Sequence, residues 1–141
     1  MTPLLLLCLG ELKALYSENP QITGISFSED IKLMTAEEIY DALLEIGGHR
    51  FNHVTISGGN PALIKGIQEL VNLFEEKHIY TALETQGSRF QSWMTQIDDL
   101  TISPKPPSSG MKTNLEILDS VINQCTFHSL NLKVVIFDDA D

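Results

Sequence analysis

The sequence predicts an α/β fold: an incomplete (β/α) barrel of parallel strands joined by helical crossovers. Three observations predict it. Between residues 35 and 137, short apolar runs alternate four times with amphipathic ones. The short runs are apolar enough to be buried on both faces, the mark of a parallel sheet covered by helices. At 141 residues the chain is shorter than the roughly 250 that a closed eight-stranded barrel needs.

The elements follow in order. Leu4, Leu5, Leu12 and Leu15 fit one side of a short helix running to about Tyr16, and no clean period follows up to Lys32. We therefore divide the chain into an atypical segment, 1–33, and a core, 34–141. Thr35 and Glu38 form a capping box for a helix whose apolar face is Ile39, Leu43 and Ile46, ended by Gly47-Gly48. A strand, Val54-Thr55-Ile56-Ser57, runs into Gly58-Gly59, and Asn60-Pro61 supply an N-cap and a first-turn proline. Leu63, Ile67, Leu70 and Phe74 give the next helix, and Ile79 to Leu83 the next strand. Ser88 with Gln91 caps a third helix that buries Phe90, Trp93, Met94 and Ile97. Leu100 to Ser103 is a strand entering a proline-rich loop, 104–110, which cannot be helical. Thr113 with Glu116 caps a fourth helix through Leu115, Leu118, Ile122 and Cys125, and Leu132 to Phe137 is the last strand.

Composition narrows the function classes. A net charge of -10 disfavours nucleic acid and anionic membrane surfaces, so the expected partner is a small molecule. The run Leu4 to Leu9 lacks a preceding basic residue and a following cleavage site, and falls well short of the ~20 apolar residues of a membrane span. Cys8 and Cys125 form no CxxC pair, which points to a reducing, cytoplasmic setting with no disulfide framework and no zinc. His49, His53, His78 and His128 precede or begin strands, away from the ligand-binding edge, and carry no assigned chemistry. The strand edges of an incomplete barrel invite pairing with a second copy, so a homodimer or aggregation is expected.

Parallel α/β folds bind ligands where strands end at their C-terminal edge. Those ends carry Ser57-Gly58-Gly59-Asn60, Glu84-Thr85-Gln86, Ser103-Pro104-Lys105 and Asp138-Asp139. Gly58 and Gly59 let a ligand approach the backbone, and a helix start beyond them favours an anionic group. The same turn also serves as a plain βα connection without a ligand, and Lys105 as a solvated loop lysine; the residues alone leave both open.

Five blocks, with their spacing, resemble the 7-carboxy-7-deazaguanine synthase family. They are Met34 to Glu38, Val54 to Leu63, Ala82-Leu83-Glu84-Thr85-Gln86-Gly87, Asp98 to Ser109 with its Ser103-Pro104-Lys105-Pro106-Pro107-Ser108-Ser109 run, and Leu132 to Phe137. The resemblance implies a partial barrel of radical S-adenosylmethionine type, a carbon–nitrogen lyase of queuosine biosynthesis, a pathway of tRNA modification. Such an enzyme uses a 4Fe-4S cluster, S-adenosylmethionine and Mg2+ to generate a 5′-deoxyadenosyl radical. With it 6-carboxy-5,6,7,8-tetrahydropterin becomes 7-carboxy-7-deazaguanine with loss of ammonia. By position, Ser57 and Glu84 would touch the pterin substrate. Gly58, Gly59, Asn60, Ser103, Pro104 and Lys105 would line the S-adenosylmethionine site. No catalytic residue is identifiable. The CxxxCxxC cluster motif and the magnesium ligand of the family are absent, and two cysteines cannot supply three thiolates. The expectation is a chain inactive by itself. The alternatives are a non-catalytic S-adenosylmethionine or nucleoside-binding module, and a truncated fragment.

Overall fold

The computed structural model describes residues 4–6, 11–15, 23–25, 32–125, 129–139 and 141, the stretches before residue 34 by backbone alone. Their strands are β1 (Leu4–Leu6), β2 (Glu11–Leu15), β3 (Thr23–Ile25), β4 (Lys32–Met34), β5 (His53–Ser57), β6 (Tyr80–Thr85), β7 (Asp99–Ile102) and β8 (Ser129–Leu132). The helices are α1 (Ala36–Gly47), α2 (Ile67–Glu76) and α3 (Leu115–Gln124). The main sheet has the order β3-β2-β5-β6-β7-β8, and β1 pairs with β4 in a separate ribbon. From β5 to β8 every pairing is parallel, so an α/β sheet with crossovers is present, as the alternation of apolar runs required.

The N-terminal segment corrects the sequence reading. Instead of one helix through Leu4, Leu5, Leu12 and Leu15, the backbone forms two strands. β2 lies antiparallel along β5, from Glu11 opposite Ser57 to Leu15 opposite His53, and β3 lies antiparallel on β2. A helix there would have left the N–H and C=O groups along β5 without partners, which local leucine spacing cannot register. Tyr16, Cys8 and His128 lie outside the described residues, as does the side chain of Ile46.

The helix-facing side of the sheet is apolar. Val54, Ile56, Leu83, Leu100 and Ile102 join Ile39, Leu43, Leu70, Phe74, Met94, Val121 and Cys125 in one buried cluster. Trp93, Met94 and Ile97 are core, as their spacing indicated. Burial pushes the Cys125 thiol up, so it stays protonated and packs as a small apolar group.

The capping signals divide into those that held and those that did not. Thr35 and Glu38 form the full box: Glu38 N–H donates to Thr35 Oγ1 at 3.2 Å and Thr35 N–H to Glu38 Oε2 at 2.7 Å. Asn60 makes no cap bond; Pro61–Leu63 is one 3-10 turn, Gly66 turns left-handed, and α2 begins only at Ile67. Leu63 is accordingly 59% exposed. The expected third helix is a 3-10 segment, Ser92–Gln96, because Ser88 accepts from Asn60 and Gln91 Nε2 donates to Ala62 O. Asn114 rather than Thr113 caps α3, since Thr113 Oγ1 donates to Lys105 O at 2.8 Å. A 3-10 turn, Pro107–Ser109, also stands within the proline-rich loop, where the prolines exclude an α-helix but not this single turn. The last strand is Ser129–Leu132, not Leu132 to Phe137. Lys133 N–H reaches Ile102 O at 2.8 Å, and β7 offers no further ladder because Pro104 lacks an N–H.

Candidate functional site

Strand pleating gives the sheet a second character on its other side. Residues opposite each other in register share a face. Thr55 is opposite Ala82, Ala82 opposite Asp99, Glu84 opposite Thr101, and Thr101 opposite Asn131. Ser57, Ser103 and Lys133 continue this row by the period of two. The face away from the helices is therefore lined toward its C-terminal edge by Ser57, Glu84, Thr101, Ser103, Asn131 and Lys133. Hydroxyls, an amide, a carboxylate and an ammonium replace the leucines and isoleucines of the other face.

Two bonding systems tie that edge together. In the first, Thr85 Oγ1 donates to Asn60 Oδ1 at 2.9 Å, and Asn60 Nδ2 donates to Ser88 Oγ at 2.7 Å. Ser103 N–H donates to Thr85 O at 2.7 Å. The turn after β5 is thus fastened to the end of β6, and β6 to the start of the Ser103-Pro104-Lys105 loop. Gly58 and Gly59 take φ of 93° and 52°, a left-handed stretch that L side chains resist, so glycine is required there by the backbone itself. In the second system, Lys133 Nζ donates to Glu84 Oε1 at 3.2 Å, crossing β7 from β8 to β6.

Ser103, Pro104, Lys105 and Pro106 line a hollow of about 230 Å³ together with Val135 and Phe137. Small-molecule sites commonly measure about 300–1,000 Å³, so this hollow is smaller than such a site. Its lining does not include Ser57, Gly58, Gly59, Asn60 or Glu84. The expected groups lie along one edge without sharing that hollow; Asn60 and Ser103 belong to the first bonding system and Glu84 to the second. Asp138 and Asp139, expected at a strand end, lie in an exposed turn beyond the corrected end of β8, and Lys133 holds that place instead. Asp141 bends the terminal turn back: its carboxylate accepts from Ser108 N–H, Ser108 Oγ and Phe137 N–H at 3.0, 2.8 and 2.7 Å. Those bonds, first that from Phe137, hold its carboxyl below the usual range.

Lys133, Thr101 and Ser88 were not placed at this edge by sequence reasoning. A lysine alone in the apolar run Leu132 to Phe137 was the available signal. Among the described residues no group of three or more His, Cys, Asp and Glu could hold a metal, and no helix is long and apolar enough to cross a membrane.

A sheet whose strands β5 to β8 run parallel, apolar on the helix-covered face and polar on the other, defines an α/β domain of partial-barrel type. Comparison with known proteins gives it a closer kinship. Over 116 residues the chain is 53% identical to the 7-carboxy-7-deazaguanine synthase of Bacillus cereus, covering 82% of this chain and 49% of the relative. Over 120 residues it is 54% identical to the 7-carboxy-7-deazaguanine synthase of Bacillus subtilis strain 168, with the same coverage of 82% and 49%. No protein-family profile matches the sequence. The chain spans about half the length of the curated relatives it matches, and it is a partial-length relative of the 7-carboxy-7-deazaguanine synthases.

Proposed function

We propose that this chain carries the pterin- and S-adenosylmethionine-binding half of a radical enzyme that converts 6-carboxy-5,6,7,8-tetrahydropterin to 7-carboxy-7-deazaguanine with loss of ammonia. The observation that carries this reading is identity at more than half of the aligned positions over 82% of the chain to relatives named for that product. In this reading Ser57 and Glu84 contact the pterin. The Gly58-Gly59-Asn60 turn and Ser103-Pro104-Lys105 receive S-adenosylmethionine, which when bound is the source of the radical.

The polar edge fits such a cofactor in kind. Gly59 is exposed and left-handed, which admits a ligand against the backbone. Lys105, half-buried beside the hollow, offers a cation to a carboxylate. The iron–sulfur cluster does not fit: the sequence holds two cysteines, and Cys125 is fully buried in the core with a protonated thiol. A polypeptide of this sequence is therefore expected to bind without turning over.

Anaerobic iron–sulfur reconstitution followed by an assay for 5′-deoxyadenosine checks the second half of that statement; cluster-dependent product from this chain would refute it. Thermal unfolding with and without S-adenosylmethionine checks the first. A ligand at a hundred times its Kd stabilises the native state by about 2.7 kcal/mol, so an unmoved transition at millimolar cofactor would reject binding.

A further inference from the structure

The ion pair between Glu84 and Lys133 has a donor–acceptor order that matches one edge of the proposed substrate. Glu84 lies on the polar face of β6, and Lys133 follows β8 on the same face. Their side chains meet at 3.2 Å across the intervening strand β7, and they keep 41% and 58% of their surface exposed. Exposed pairs of this kind contribute only about 0–1 kcal/mol to stability. A bridge that holds the fold so weakly is free to exchange partners with a ligand. Side by side, the two groups present one ammonium donor next to two carboxylate acceptors. The 2-amino-4-oxopyrimidine edge of a pterin presents the complement: one carbonyl acceptor, then a ring N–H, then an amino N–H.

We infer that Glu84 and Lys133 together read this edge, Glu84 accepting from the ring N–H and the 2-amino group, and Lys133 donating to the 4-oxo group. The pair is then specificity-determining for 2-amino-4-oxopyrimidine ligands, a pattern that pterin and deazaguanine rings share. The inference rests on the pterin reading of the site. Charge-assisted bonds to both N–H groups make the carboxylate intolerant of an oxygen at position 2, where its own acceptor would face another.

The test measures equilibrium binding to the chain of 6-carboxypterin and of 6-carboxylumazine, which differs by an oxo group in place of the 2-amino group. Wild type is expected to prefer the pterin by roughly ten- to a hundredfold, the range of one or two charged hydrogen bonds. Glu84→Gln, whose amide can turn its donor toward an oxo group, is expected to bring the two affinities within about threefold, as one neutral hydrogen bond allows. Lys133→Met is expected to weaken both ligands about tenfold and leave their ratio in place, since both carry the 4-oxo group. Thermal transitions of the variants within a few degrees of wild type verify that each is folded. A preference that survives Glu84→Gln, or wild-type affinity for both ligands in Lys133→Met, overturns the inference and leaves the pterin reading standing. Wild type that binds the lumazine as tightly as the pterin also overturns it alone. Wild type that binds neither removes the pterin reading, and the inference falls with it.

Discussion

Leu83 and Glu84 are neighbours in β6, yet they belong to different regions of the molecule. Leu83 points into the cluster beneath the helices and is 1% exposed; Glu84 stands on the opposite face in reach of Lys133. The two faces divide the work of the sheet. One buries Val54, Ile56, Leu83, Leu100 and Ile102 and makes the fold; the other displays the polar groups of Ser57, Glu84, Thr101 and Lys133. Because side chains alternate strictly along a strand, one backbone serves both without compromise.

The division is broken or sharpened most by exchanging alanine at these two positions. Leu83→Ala leaves a cavity among Phe74, Leu100 and their neighbours, and is expected to cost about 2–5 kcal/mol. Glu84→Ala removes half of an exposed ion pair and is expected to change stability by less than about 0.5 kcal/mol. Urea unfolding of both variants checks the contrast. Losses of similar size would mean that the polar face carries the fold as well, and the division would be wrong.

Gly87 sits where the two regions meet, just beyond β6, and its substitution should fall between these extremes. Its φ is 71°, and a methyl group there would stand 2.5 Å from Ile102 Cγ2 and 2.9 Å from Leu118 Cδ1. Ile102 is fully buried, so the methyl cannot be accommodated by a free side-chain end. Gly87→Ala is expected to cost about 1–3 kcal/mol through overpacking and backbone strain. It should also loosen Ser88, the anchor of Asn60, so a lower affinity for S-adenosylmethionine should accompany the lower melting temperature. A variant as stable as wild type would show that the strand end yields easily, and that the edge is less fixed than its bonds imply.

The helix-covered face was legible in the sequence and the polar face only in part, for a physical reason. Burial under helices imprints a period on residues close in the chain, as in Ile39 and Leu43 or Leu70 and Phe74. The capping box at Thr35 is equally local, with donor and acceptor three residues apart. Ser88 with Gln91 and Thr113 with Glu116 show the same spacing, but their polar groups are drawn off by Asn60, Ala62 and Lys105. A distant partner outcompetes the local one, and nothing in a short window reveals it. The bond from Lys133 to Glu84 spans 49 positions and exists only because β7 lies between the two strands. Ser57, Gly59 and Lys105, by contrast, end or closely follow their strands in the chain and were legible as strand ends, with the resemblance adding only an expected role for each. The leucines of β1 and β2 misled because an antiparallel partner, not their own spacing, decides their conformation.

The smallest expected effect lies at the opposite end of the polar face. His53 begins β5 with its ring 4.7 Å from that of Tyr80, centroid to centroid. Burial against its neighbours holds its pKa below the ordinary 6.5, and the charges of Asp99 and Asp98 only partly oppose this. The folded protein thus resists a proton that the unfolded chain accepts near pH 6.5. On acidification the unfolded state gains protons first, so the His53 contribution is complete above pH 6.5 and is lost as the pH falls through the lower native value. Replacing His53 with Gln should flatten a shallow decline in melting temperature between pH 7.5 and 5 while leaving pterin binding at the far edge unchanged. A decline of the same slope in the variant would move the titration to another group. A loss of pterin affinity would show that the two ends of the face are coupled, and that the polar side acts as one surface rather than as an edge with an inert base.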